Sequence, residues 1–228
     1  MKLKFLGNGS GFAKTHTGAY FIDNKDLVVI DCSMLNLQKI LDLGMNNFKN
    51  VYLLITHMHD DHFSGVSLFI QYMNYIYKNK LNLVLPSELI EDVKLEFKIK
   101  GIPNTIYNLI NVDENKPNWF INKIKTQHAP ELEGKCFGYV LDINNTKICY
   151  SGDTNILNVY EPYLNECKEF YIDVSALYGG VHLKYSNVED NLLSYIRKYK
   201  LDIYMMHIDD EEELRKIKHS SIKIVELN

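Results

Sequence analysis

Arginine is almost missing from this sequence. Arg197 and Arg215 are the only two in 228 residues, against 29 acidic side chains and a formal net charge of −4. The planar guanidinium fork is the side chain best matched to phosphate, so an anionic group would have to be held by other means, such as metal ions. With a pI near 6.1, the acidic balance also argues against a broad basic face for duplex nucleic acid. Cysteine is sparse. Cys32, Cys136, Cys149 and Cys167 form no C-x-x-C pair and read as reduced, buried, small hydrophobes. No run of 18 apolar residues suggests a membrane span. The opening residues, Met1 to Gly7, turn to Gly and Asn too early for a signal peptide, so a cytoplasmic protein is expected. Low-complexity tracts and clear short-period repeats are absent as well.

What remains is an ordinary globular balance, 46% hydrophobic and 24% charged. Against it stands one dense polar stretch, Thr56-His57-Met58-His59-Asp60-Asp61-His62. It follows an apolar run, Val51 to Ile55, that predicts a buried strand, and it precedes an apolar-rich segment, Phe63 to Tyr77, that predicts a helix. His57 and His59 are two apart, so in extended backbone their imidazoles leave the same side and make half of a tetrahedral metal site. Asp61 and His62 lie where the chain turns and can serve a second ion. Two ions roughly 3.5–4 Å apart can clamp the attacking and leaving oxygens of a displacement.

The same arrangement, a polar residue at the end of a predicted strand, recurs along the chain. Lys2–Leu6 predicts a strand closed by the Gly7–Gly11 turn, which lacks a P-loop lysine and is expected to shape a rim; His16, just beyond, reads as a solvated loop residue. Ala19–Asp23 and Leu27–Asp31 predict a hairpin ending at Asp31. A helix over Asn36–Leu43 is closed by Gly44. Leu81–Leu85 predicts a strand and Ser87 to about Lys98 a helix. Gly101–Asn118, rich in Asn, Gly and Pro, reads as a variable connection near the site. Trp119–Thr126 predicts a strand ending at His128. Cys136–Ile143 and Lys147–Ser151 predict a hairpin ending at Asp153, which could be a bridging carboxylate or a cap for a helix over Leu157–Glu166. Glu169–Val174 ends at Asp173. Ser186 and Glu189 form a capping-box pattern before a helix to about Lys198. Asp202–Met206 ends at His207, an acidic helix starts at Glu211, and Ile222–Leu227 predicts a last strand. His219 reads as surface.

The motif His57-x-His59-x-Asp61-His62 resembles the signature of the metallo-β-lactamase-fold metallohydrolases, and with His128, Asp153 and His207 the resemblance covers nearly the whole chain. It implies an α/β fold, an αββα four-layer sandwich of two mixed β-sheets flanked by helices, formed as one domain over residues 1–228. It implies two divalent ions, Zn²⁺ first with Mn²⁺ or Fe as alternatives. His57, His59 and His128 would hold one; Asp61, His62 and His207 the other; Asp153 would bridge them. Asp31 would support the ligand loop.

Tyr150-Ser151-Gly152-Asp153-Thr154 is similar to the ribonuclease Z and cyclic-phosphate phosphodiesterase branch. There a late acid–histidine pair assists the leaving group. Asp173 and His182 occupy similar places, with Asp where ribonuclease Z typically carries Glu. No Gly- and Pro-rich arm of the transfer-RNA-gripping kind is evident, which points to a smaller substrate. The implied activity is hydrolysis of a small cyclic or terminal phosphodiester, such as a cyclic nucleotide, by a metal-activated water. Asp61, His182 and Asp173 are the expected catalytic residues. RNA 3′-processing, or hydrolysis of a carboxyl ester, thioester or lactone, are the alternatives. Substrate identity is expected to lie in Gly9–Thr17, Gly101–Asn118 and Tyr178–Tyr185. The resemblance also implies a homodimer.

Overall fold

The computed structural model describes residues 2–217 and 219–227. Two six-stranded sheets divide the chain almost in half. The first is built from Lys4–Gly7 (β1), Gly18–Asp23 (β2), Asp26–Ile30 (β3), Asn50–Leu54 (β4), Leu81–Leu85 (β5) and Tyr107–Asn111 (β6), adjacent in that order. The second runs Phe120–Lys125 (β7), Phe137–Asp142 (β8), Lys147–Tyr150 (β9), Glu169–Asp173 (β10), Asp202–Met206 (β11) and Ile222–Ile224 (β12), again with sequence neighbours paired. Each sheet begins with antiparallel pairs and continues with parallel ones. The hairpin turns use Asn24, and Asn144 with Asn145, at positive φ, a region asparagine tolerates.

Parallel strands need crossovers, and helices supply most of them. Met34–Asp42 (α1) links β3 to β4. Asp60–Phe63 (α2) and Val66–Gln71 (α3) follow β4, Ser87–Ile99 (α4) follows β5, Glu161–Leu164 (α5) follows β9, Tyr185–Tyr199 (α6) follows β10 and Glu211–Leu214 (α7) follows β11. Among the described residues no helix is long and apolar enough to cross a membrane.

Strand alternation explains the layers. In the second sheet Phe137, Tyr139, Leu141, Tyr150, Tyr171, Tyr204 and Met206 join the core shared with the first sheet. Their neighbours Val140, Cys149, Phe170, Ile172, Ile203 and Met205 join a second core that includes Val188, Leu192 and Tyr195 of α6. Both faces are covered, so these strands are apolar throughout, as expected of sheets buried between layers. The spacing 188, 192, 195 puts one stripe of α6 against the sheet.

The predicted long helix over Phe63–Tyr77 is broken. Gly65 N–H donates to Cys32 C=O at 2.9 Å rather than continuing the helix, and a π-turn, Tyr72–Ile76, ends the segment. Gly101–Asn118 contains β6, which pairs with β5 at the sheet edge. The capping box at Ser186 does not form. The helix begins one residue earlier, the Ser186 hydroxyl donates to Asn187 Oδ1, and Glu189 accepts from Tyr185 Oη. The segment after Asp153 folds as a 3-10 turn, Asn158–Tyr160, leading into the short α5, so Asp153 caps no helix.

Candidate metal centre

The motif turn is pinned before any ligand is considered. Cys32 N–H donates to His62 C=O at 2.7 Å while Cys32 C=O accepts from Gly65, so the loop after β3 and the turn after β4 are tied reciprocally. A Cβ at Gly65 would stand 2.8 Å from Ser33 O, which keeps this approach open to glycine alone. Asp31 does the rest. Its Oδ1 accepts from Thr56 N–H at 2.8 Å, and its Oδ2 from the Thr56 hydroxyl at 2.7 Å and from His62 Nδ1 at 2.8 Å. Its backbone is left-handed, φ 61°, a conformation held by these bonds and by its own N–H on Leu54 O.

These bonds set imidazole tautomers. His62 carries its proton on Nδ1, so Nε2 offers a lone pair; that Nε2 is buried and has no hydrogen-bond partner. The Thr56 hydroxyl, spent on Asp31, accepts from His57 Nδ1 at 3.0 Å. His128 Nδ1 donates to Val181 O at 2.8 Å. The nitrogens left over converge. His59 Nδ1 lies 3.1 Å from both His57 Nε2 and His128 Nε2, and Asp153 Oδ2 lies 3.8 Å and 3.7 Å from those two. Zn–N bonds of about 2.0–2.1 Å in a tetrahedron place donor nitrogens roughly 3.3 Å apart. The donor set fits.

A second set shares the same carboxylate. His62 Nε2 is 3.2 Å from Asp61 Oδ2 and 3.3 Å from Asp153 Oδ1; His207 Nε2 is 3.1 Å from Asp61 Oδ2 and 3.2 Å from Asp153 Oδ2. Asp153 is thus the one residue common to both groups able to hold an ion. It follows Gly152, whose φ is +60°, with space closed on the Cα side by Phe137 O. His207 also has a left-handed backbone, φ 57°, its N–H held by the Thr17 hydroxyl at 3.0 Å.

Charge follows burial and company. Burial, then the neighbouring His62, pushes His57 down; burial, then His128, does the same for His59, so both are neutral donors. Burial would also lower His62 and His207, but Asp153, with Asp31 and Asp61 around His62 and with Asp173 and Asp61 around His207, overrides it; His62 rises and His207 reaches about 10, so the carboxylates call for positive charge at these rings, carried by a proton on Nε2 until a metal ion displaces it. Burial opposes ionisation of Asp153 and Asp61, yet the surrounding histidines hold both carboxyls well below the usual range. Such a pocket favours cations.

A third group, Asp153, Asp173, His182 and His207, also gathers within 4.8 Å. Here His182 Nδ1 already binds Asp173 Oδ2 at 2.7 Å, which marks an oriented histidine rather than a free donor. All the site residues expected from sequence therefore meet around one cavity of about 860 Å³ or directly behind it. The Gly9–Thr17 and Tyr178–Tyr185 loops contribute to its lining, but Gly101–Asn118 does not, because β6 lies at the sheet edge beyond β5. His16 is half-buried and lines the cavity rather than lying free in solvent. Sequence reasoning missed Thr56 as the relay to His57 and Asp209 as a loop anchor. The clue to Asp209 was a carboxylate two residues after the last candidate ligand, His207.

Fold and donor sets together define a metal-dependent hydrolase of the metallo-β-lactamase fold, in its ribonuclease Z-like branch. The YhfI protein of Bacillus subtilis superposes with a TM-score of 0.74 at 14% identity, covering 98% of this chain and 95% of that one. The short form of human tRNase Z gives 0.68 at 13%, covering 100% and 97%. These likenesses establish the fold. Across residues 1–228 the chain matches the family described as Anti-Pycsar protein Apyc1, and it belongs to that family. A member from Bacillus phage 010DV004 is 24% identical over 243 residues, covering 93% of this chain and 91% of the relative.

Proposed function

We propose that this protein opens a cyclic nucleotide by hydrolysis, adding water across one P–O ester bond to give the linear monophosphate. The observation that carries this reading is Asp153, shared between two ion-sized donor sets, with the Asp173–His182 pair beside it. Membership of the Apyc1 family, whose activity is degradation of cyclic nucleotides, supports the choice among phosphodiesters.

Two divalent ions, held by His57, His59, His128 and Asp153 and by Asp61, His62, His207 and Asp153, would supply Lewis-acid charge and acidify a water near neutral pH. The protein's own groups do the remaining work. Asp31 and Thr56 fix the tautomers of His62 and His57. Asp173 holds the His182 Nδ1 proton, which turns Nε2 to the task of protonating the departing ribose oxygen. Burial opposes the charged form of His182, but Asp173 outweighs it and raises the pKa, so His182 is well supplied with its proton. Zn²⁺ is the ion we propose, since imidazole nitrogen dominates the first set. A homodimer carries over from the resemblance and is checked by light scattering.

The test is turnover of 3′,5′-cyclic nucleotides beside a structured RNA with a 3′ trailer, with Zn²⁺ or Mn²⁺ supplied and Asp61→Ala as control. Release of linear monophosphate that vanishes in the control supports the reading. Cleavage of the RNA alone, or silence toward both with metal bound, sinks it.

A further inference from the structure

Phe12 and Tyr178 are the two most exposed aromatic side chains among the described residues, at 106% and 71% of their reference areas. Bare aromatic rings in water invite a partner. Both line the same cavity as the two donor sets, with Ala13, Leu177 and Val181 completing an apolar rim.

The two rings are not on loose ends. Asp209 accepts from Ala176 N–H at 2.6 Å, from Leu177 N–H at 3.1 Å and from the Ser175 hydroxyl at 2.6 Å; Ser175 Oγ in turn accepts from Tyr178 N–H at 2.9 Å. That fixes the Tyr178 loop to a residue two positions beyond His207. The Phe12 turn is fixed to the residue between. Ser10 N–H donates to Ile208 O at 3.0 Å, Ile208 N–H donates to Asn8 O at 2.7 Å, and Ala13 N–H closes the turn on Ser10 O at 2.9 Å. One short segment, His207 to Asp209, therefore carries a candidate ligand and anchors both ring-bearing loops.

We propose that Phe12 and Tyr178 form a preset grip for the nucleobase of the substrate, with Asp209 as its positioning residue. The inference rests on the cyclic-nucleotide reading above. Every base has a π-face, and a stacking platform needs no hydrogen-bond partner. Loops held in place before binding lose little freedom on binding.

The experiment compares 3′,5′-cyclic AMP with methyl ribofuranoside 3′,5′-cyclic phosphate, which keeps the cyclic phosphodiester and lacks the base. Phe12→Ala and Tyr178→Ala are expected to raise KM for cyclic AMP by roughly tenfold or more each, with kcat within about twofold, and to leave the baseless analogue unchanged. Phe12→Trp restores KM; Phe12→Leu does not. Asp209→Asn shows the same KM-only pattern, more weakly. Phe12→Trp also gives a second readout. Trp119, the native tryptophan, is 4% exposed, so the new indole reports alone on the rim. Its fluorescence should be quenched by cyclic AMP and not by the baseless analogue, with or without added Zn²⁺. Equal effects on both substrates, rescue by Leu as good as by Trp, or a wild type that treats the two substrates alike overturns the grip and leaves the phosphodiesterase reading standing. Turnover of neither substrate by metal-loaded wild type overturns both.

Discussion

Asp173 accepts a hydrogen bond from His182 Nδ1 at 2.7 Å with one carboxylate oxygen, and with the other it faces His207 Nδ1 at 3.4 Å. A single buried carboxylate thus orients the proposed proton donor and a candidate metal ligand. The two substitutions should separate. His182→Ala should lower kcat by about 10²–10⁴-fold while bound metal, measured by elemental analysis, stays at the wild-type level. Asp173→Ala should lose turnover and metal together, because His207 also loses its support. An unchanged kcat in His182→Ala would remove that residue from the mechanism.

Asp31 works from behind the donors. It accepts three hydrogen bonds through two oxygens, from Thr56 twice and His62 once, and two histidine tautomers depend on them. Asparagine tolerates the left-handed backbone at φ 61°, so Asp31→Asn is the cleaner probe. Metal affinity, measured by chelator competition, should fall about 10–100-fold. Thermal stability of the metal-free protein should change far less.

The donors were legible because each is a polar residue at or just past the end of a predicted strand, a pattern visible without coordinates. Asp31, His57, His128, Asp153 and His207 all follow that rule. Their supporting contacts were less legible, because they depend on which loops meet. Nothing local to Asp209 says that it faces the N–H groups of Ala176 and Leu177, 33 and 32 positions away in the chain. The halves of the chain repeat a topology of antiparallel then parallel pairs, yet no short-period repeat betrays it, since pairing order leaves apolar alternation unchanged. Gly101–Asn118 misled because its Asn, Gly and Pro content signals a loop, while Tyr107–Asn111 is completed as a strand by pairing with β5.

The two sheets are joined by hydrogen bonds just behind the motif. Tyr139 Oη, fully buried on β8, donates to Ile55 O at the end of β4, and Phe137 N–H donates to Thr56 O at 3.1 Å. Tyr139→Phe removes the donor and keeps the ring, leaving a carbonyl unpaired. The expected cost is about 1–3 kcal/mol, read as a drop of a few degrees in Tm. A shift within error would show that Ile55 O finds another partner.

The four thiols are expected to be inert. All are buried and free, and burial, reinforced by neighbouring carboxylates, raises Cys136 and Cys167 from 9.0 to about 12. The folded state therefore binds these protons more tightly than the unfolded chain. The associated stability is present below about pH 9 and is lost as pH rises toward 12. At pH 8 a disulfide-exchange reagent should release almost no colour from native protein and four equivalents after denaturation. Fast reaction of a native thiol would contradict their reading as packing residues.

Gly152 sets the position of Asp153, and its replacement should be felt at both donor sets. Its φ is +60°, and a Cβ there would stand 2.4 Å from Phe137 O, a backbone atom that cannot swing away. Gly101 makes the matched control. Its φ is +68°, but nothing lies within 4 Å of the Cβ position. Alanine at either site incurs the left-handed penalty of about 1–2 kcal/mol. Alanine at 152 must also push β8 and the Asp153 backbone apart. Gly101→Ala should therefore lose stability and keep metal content and turnover. Gly152→Ala should lose both, with turnover down by roughly 10²-fold or more for a misplacement on the order of 1 Å. If the two variants behave alike, strain alone accounts for the glycine, and Asp153 is held in place by other contacts, such as the Thr126 hydroxyl on its carbonyl at 3.0 Å.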